Sequence, residues 1–115
     1  MEARDNNITS EELFNMYESM YLIRLVEEKL IELTAEQLMK CPHHYAIGQE
    51  GVAVGVCSAL DKEDQILSSH RSHAHYLAKG GSLNAFMAEM YNKIDGCTKG
   101  KGGSMHLIDT AVGMM

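Results

Sequence analysis

Positive charge is scarce in this chain: ten Lys and Arg stand against sixteen Asp and Glu, a formal net charge of −6 over 115 residues. A protein that gains affinity by neutralising phosphates needs the opposite balance, which argues against nucleic acid as a partner. Long hydrophobic runs are missing too. The longest, VAVGVC at 52–57, falls far short of a membrane span, and the opening MEARDNNITS is polar throughout, without the apolar stretch of an export signal. Cysteine is sparse: Cys41, Cys57 and Cys97 are odd in number and widely spaced with no CxxC pair, which argues against a disulfide framework and for a reducing compartment. The expectation is a cytoplasmic protein with no membrane segment, and a length that suits one small domain. No internal repeat or low-complexity tract is present.

Proline occurs once, at Pro42, so nothing interrupts the run before it. That run opens on Thr9 and Ser10, with Glu12 at capping-box spacing from Thr9 and acidic residues in the first turn, which predicts one long helix over about 10–37. Leu13, Tyr17, Met20, Ile23, Leu30 and Leu33 recur near helical spacing, a stripe that reads as core or subunit contact and not as a ligand surface. After the break at Pro42, GVAVGVCSAL reads as a second helix whose small residues, Gly51, Ala53, Gly55 and Ala59, suggest close approach of another backbone. DKEDQILSS supplies a charged turn and a short strand. Ser82 caps a further short helix, LNAFMAEMYN. The segment GCTKGKGGSMH holds four of the ten glycines and is expected to be a loop.

Three kinds of chemistry compete for the polar clusters. His70, His73 and His75, and separately Cys41, His43 and His44, offer metal-binding side chains, but neither set has a recognisable zinc spacing, so no metal ligand is assigned. The glycine-rich segment fails as a Walker loop because Lys101 is followed by Gly102, and fails as GxGxxG because Met105 stands where a glycine is needed. Its successive N–H groups, flanked by Lys99 and Lys101, suit either an anion-binding concavity or a plain surface loop. Arg71, just after the strand expected at 65–68, has the donor geometry for a diphosphate, or for an ordinary surface ion pair.

Three blocks taken together, HHYAIGQEGVAVG, ILSSHRSHAHYLAKG and MAEMYNKIDGCTKGKGGSMH, closely resemble the N-terminal portion of the α-subunit of thiamine-diphosphate-dependent 2-oxo acid dehydrogenases, the pyruvate and acetoin dehydrogenase α-subunits. The resemblance implies an α/β class, with residues 1–115 forming the N-terminal part of a thiamine-diphosphate-binding fold that is mostly helical here and led by a long N-terminal helix. It implies an α2β2 assembly with a β-subunit, a lipoyl-bearing acyltransferase component as acceptor, and a small 2-oxo acid or acetoin as substrate. The reaction would be oxidative decarboxylation or C–C cleavage, with acyl transfer to lipoamide.

Residue by residue, the H-x-x-x-G-Q-E block falls on His44, Gly48, Gln49 and Glu50 and places His44 at the reacting end of the cofactor. The diphosphate-contacting pair falls on His70 and Arg71. His70 stands where pyruvate-type members carry tyrosine, and resembles the acetoin-type members; an imidazole can still donate to phosphate. His73 and His75 are expected to be supporting or structural residues. The Mg²⁺ motif of the family has no counterpart before the chain stops at DTAVGMM, so metal ligands are expected outside these residues. The chain therefore reads as an N-terminal piece, inactive alone, with residues 96–115 mobile or packed in a way unlike the family. The alternative reading is a non-catalytic interaction module that docks on a partner subunit.

Overall fold

The computed structural model describes residues 7–115; the polar stretch 1–6, read above as part of an opening without an export signal, lies outside them. Four helices carry the architecture: α1 (Ser10–Thr34), α2 (Glu50–Cys57), α3 (His73–Ala78) and α4 (Leu83–Met90). Short 3-10 turns at Gly103–Met105 and Thr110–Val112 complete it. No helix among the described residues is long and apolar enough to cross a membrane.

The start of α1 is set by the expected capping box. Thr9 Oγ1 accepts from the Glu12 N–H at 3.1 Å, and the Glu12 carboxylate accepts from the Thr9 N–H at 2.7 Å and the Thr9 hydroxyl at 2.9 Å, the latter two holding the Glu12 carboxyl below its usual range. The helix ends at Thr34, short of the expected Gln37, because Gln37 adopts a left-handed conformation at φ 58° and closes a turn. Ser82 caps α4 as the sequence suggests, accepting from the Ala85 N–H at 3.3 Å.

The stripe on α1 divides along its length. Ile23, Val26 and Leu30 are buried, and Met16 and Met20 pack against the core from the first half of the helix, but Leu13 and Tyr17 on its other side remain 54% and 61% exposed among the described residues. Ile23 packs with Ala46, Ala53, Val54 and Ala74 in one apolar cluster. Val26 and Leu30 join Met39, Tyr76, Phe86, Met90, Leu107 and Met114 in another. Glu27 falls between these two sets at helical spacing and is fully buried. On α2, Ala53 meets the core, whereas no other element among the described residues comes within 4 Å of where a side chain on Gly55 would begin, so the close approach expected there is absent from these residues.

The strand expected at 65–68 is reduced to a single bridge residue. Ile66 pairs in parallel with Met114, through the Ile66 N–H to Gly113 O at 2.8 Å and the Met115 N–H to Ile66 O at 3.1 Å. Pairing stops there because the chain turns back at once: Met114 also bridges Asp109. Among the described residues the fold is helical and compact, with no extended sheet.

The glycine-rich segment is a loop, as expected, and it is closely packed. It wraps the side chain of Glu89 on α4. Glu89 Oε2 accepts from the N–H groups of Thr98 and Gly100 at 2.8 and 2.9 Å, and Oε1 from those of Gly102 and Gly103 at 2.8 and 2.9 Å. The anion-binding concavity is thus real and holds an anion from within the chain. Gly100 (φ +74°) and Gly103 (φ +60°) are required here: a Cβ on the first would lie 2.6 Å from the Asn92 carbonyl, and on the second 2.9 Å from the Cys41 Cβ.

Burial of Glu89 opposes its charge, but the four N–H donors outweigh burial and hold the carboxyl below the usual carboxylate range. A depressed folded-state pKa gives stability that is present above the unfolded value of about 4.3 and is lost as pH falls through the folded value. Glu89→Gln turns an NH₂ toward two of the N–H groups, so the variant is expected to lose roughly 2–6 kcal/mol, at roughly 1–3 kcal/mol for each orphaned donor. Urea unfolding at pH 7 measures this loss, and the gap between wild type and variant should narrow as pH drops below about 4. A gap independent of pH would mean that the carboxylate charge is not what orders the loop.

Candidate functional site

The three residues singled out by sequence lie at one corner. His44 sits in the extended segment between α1 and α2, while His70 and Arg71 precede α3; the rings of His44 and His70 meet edge to face with centroids 4.7 Å apart. Arg71 is half-buried and donates from Nη1 to the Tyr45 carbonyl at 2.6 Å, which ties it to the residue after His44. His70 is exposed. The two sequence blocks are therefore neighbours in space, with an imidazole pair on the solvent side of a guanidinium.

The His44 segment is pinned along its length. Tyr45 OH shares a 2.7 Å hydrogen bond with Thr34 Oγ1 at the end of α1, and Cys41 Sγ donates to the Met90 carbonyl of α4 at 3.7 Å. Downstream, Gly48, Gln49 and Glu50 serve the backbone. Glu50 accepts from Arg24 Nε at 2.6 Å and Nη2 at 3.2 Å, and from the Gly48 N–H at 3.0 Å. The Arg24 guanidinium holds the Glu50 carboxyl below its usual range. Burial pushes the His43 imidazole down.

Behind this corner lies a chain of polar side chains that the sequence did not reveal. His73 Nδ1 is 2.9 Å from Glu27 Oε1, and His73 Nε2 is 2.7 Å from Ser104 Oγ. Phe86 packs edge to face on the His73 ring at 5.1 Å. Ser, His and Glu in this order have the connectivity of a hydrolase triad. The environment denies them that chemistry: Glu27 and His73 are fully buried, Ser104 is 1% exposed, and Ser104 Oγ accepts the His44 N–H at 3.2 Å, where a substrate carbonyl would have to approach. Glu27 had one legible signal, a carboxylate between Ile23 and Leu30 on the apolar stripe. Ser104 and Glu89 had none, because their partners are distant in sequence.

His75 Nδ1, Ser68 Oγ and Ser72 Oγ are buried without a hydrogen-bond partner among the described residues. Ser68 and Ser72 line a cleft of about 120 Å³ on the chain neighbours of Arg71, together with residues of the 105–108 segment. The donors of the His44 corner, a guanidinium with N–H groups to spare and an exposed imidazole, suit the oxygens of a phosphate ester, whereas the buried Ser68 and Ser72 hydroxyls belong to the separate cleft. The corner does not suit a metal: no group of three or more His, Cys, Asp or Glu converges among the described residues. A larger groove of about 850 Å³ runs between the first half of α1 and the end of α2, and none of His44, His70 or Arg71 lines it.

Comparison with known proteins gives a consistent picture. The family model described as dehydrogenase E1 component matches residues 17–114. The chain is 45% identical over 109 residues to the alpha subunit of acetoin:2,6-dichlorophenolindophenol oxidoreductase from Bacillus subtilis (strain 168), covering 95% of this chain and 33% of that protein. It is 40% identical over 109 residues to the subunit of the same name from Cupriavidus necator, covering 94% and 32%. It is 38% identical over 108 residues to the chloroplastic pyruvate dehydrogenase E1 component subunit alpha-3 of Arabidopsis thaliana, covering 94% and 25%. The chain thus spans a third or less of the length of these relatives.

The buried Ser–His–Glu arrangement makes one expectation concrete. A fluorophosphonate probe, which labels activated serines, should leave Ser104 unmodified in the native chain, as peptide mass spectrometry would show. Labelling at Ser104 would mean that the hydroxyl opens to solvent and that the triad geometry is more than structural.

Proposed function

Because the chain belongs to the dehydrogenase E1 component family, we propose that it forms the cofactor-binding N-terminal part of an E1 alpha subunit whose substrate is a small 2-oxo acid or acetoin. The observation that carries this reading is the convergence of His44, His70 and Arg71, from two separate sequence blocks, on one donor-rich corner. The names of the relatives include both acetoin and pyruvate enzymes, and His70 in place of a tyrosine favours the acetoin side.

In this reading Arg71 and His70 hold the diphosphate of thiamine diphosphate, and His44 faces the reacting end. When bound, that cofactor supplies the chemistry of cleaving a bond next to a carbonyl, which no side chain provides alone. The residues of this chain bind and orient. Arg71 keeps its Nη1 on the Tyr45 carbonyl, so its remaining N–H groups are held in a fixed direction and lose little freedom on meeting phosphate. His44 is half-buried and its ring lies against His70, a placement that allows it to take or give a proton at an imidazole nitrogen.

Mg²⁺ would reach the diphosphate through ligands outside the described residues. The thiamine-diphosphate-binding α/β fold, the β-subunit of an α2β2 assembly, the lipoyl-bearing acceptor and a cytoplasmic location belong to the same proposal. Support for a covering partner or further chain comes from Val52 and Val56 on α2, 65% and 51% exposed, and from the exposed Leu13, Phe14, Tyr17 and Tyr21 of α1. The same exposed faces are what a non-catalytic docking module would use, and kinetics on the complete assembly separates the two readings.

In that assembly, Arg71→Ala is expected to weaken thiamine diphosphate binding by roughly 1.5–3 kcal/mol, the scale of a hydrogen bond to a charged group. An unchanged dissociation constant in calorimetric titration would remove Arg71 from the diphosphate. His44→Ala should lower turnover by roughly 10²–10⁴ with cofactor affinity little altered. If affinity collapses while the saturated rate survives, His44 belongs at the other end of the cofactor.

A further inference from the structure

We propose that Glu27, His73 and Ser104 form a buried clamp that positions the His44 segment, with His73 donating from Nδ1 and accepting at Nε2. The proposal rests on the reading above in giving His44 a role in turnover, but the clamp itself stands on geometry. Two backbone N–H groups of the segment end on the two ends of one side-chain chain. The His44 N–H donates to Ser104 Oγ at 3.2 Å, and the Ala46 N–H donates to Glu27 Oε1 at 3.2 Å. The rigid imidazole of His73 spans the gap between those acceptors, at 2.7 Å from Ser104 Oγ and 2.9 Å from Glu27 Oε1.

Donor counting settles the direction of each bond. With the proton on Nδ1, His73 donates to the Glu27 carboxylate, and the Ser104 O–H donates to Nε2 while its oxygen accepts from His44. Every donor in the chain then has an acceptor. A proton on Nε2 would instead leave the Ser104 O–H without one, inside a region where Glu27 and His73 are fully buried and an unpaired donor is costly. The clamp therefore fixes backbone at residues 44 and 46 and leaves the His44 side chain free to face His70 and solvent. Glu27 comes from α1, His73 from α3 and Ser104 from the loop ordered by Glu89, so three separate elements set one short segment.

Amide exchange and imidazole nitrogen shifts, measured by NMR on the 115-residue chain without cofactor, test this directly. In the wild type the His44 and Ala46 amides should exchange more slowly than that of Ile47, and His73 should show a pyrrole-type Nδ1 and a pyridine-type Nε2. Ser104→Ala should speed His44 exchange by on the order of tenfold, the worth of one hydrogen bond, with Ala46 unaffected. Unprotected His44 and Ala46 amides in the wild type, or an Nε2–H tautomer, would overturn the clamp without recourse to any variant.

In the complete assembly, Ser104→Ala should lower kcat by roughly ten- to a hundredfold while the dissociation constant for thiamine diphosphate holds, the pattern of lost orientation. A loss of cofactor affinity with kcat intact would contradict positioning. Because the exchange measurement does not involve the His44 imidazole, a His44→Ala variant with full turnover would remove the catalytic reading and leave the clamp in place.

Discussion

A single carboxylate, that of Glu89, supports most of what is distinctive in this fold. Its two oxygens collect four backbone N–H groups from the 98–103 segment, and without them a loop holding four glycines would have no reason to adopt one shape. Ordering such a loop costs about 1–2 kcal/mol of backbone entropy per residue, which charge-assisted hydrogen bonds in a water-poor site can offset. Ser104 follows the last of these donors, so the position of its hydroxyl depends on the Glu89 bonds. Through Ser104 the dependence reaches His73 and the His44 backbone.

Two further carboxylates serve the same end by different means. Glu27 is fully buried and shared between His73 and the Ala46 N–H, whereas Glu50 is met by the Arg24 fork and by the Gly48 N–H. Burying a carboxylate costs desolvation, but an apolar replacement here would leave the backbone N–H groups it accepts from without a partner. The effect of both carboxylates is specific geometry: each carboxylate takes up backbone donors from a segment that has no helix or sheet to satisfy it. The corner formed by His44, His70 and Arg71 is built from such segments, and the two apolar clusters on either side of Glu27 supply the cohesion that makes the arrangement affordable.

The distribution of apolar surface complements this internal order. On α1 Leu13, Phe14, Tyr17 and Tyr21 remain exposed beside the packed Met16 and Met20, and on α2 Val52 and Val56 are exposed. Since the chain spans a third or less of the relatives it matches, this uneven burial is what an incomplete set of neighbours would leave. Exposed valines on a helix that also carries Gly51 and Gly55 leave room for another backbone, an approach that no other element among the described residues makes at Gly55.

Local physics was legible in the sequence and long-range pairing was not. The capping box at Thr9 and Glu12, the break at Pro42 and the Ser82 cap each involve residues within a few positions, so residue type and spacing determined them. The juxtaposition of His44 with His70 and Arg71 was reached only through resemblance, since spacing could not bring two blocks together. The strand expected near Ile66 failed because strand formation requires a partner, and only Met114 lies alongside. The anion held by the glycine-rich segment could have come from anywhere, and it comes from Glu89 on the preceding helix. Likewise Glu27 showed only as a charge out of place on an apolar stripe. Capping and helix period act between neighbours and are written into the order of residues, whereas a buried carboxylate finds its donors through packing, which the folded chain alone decides.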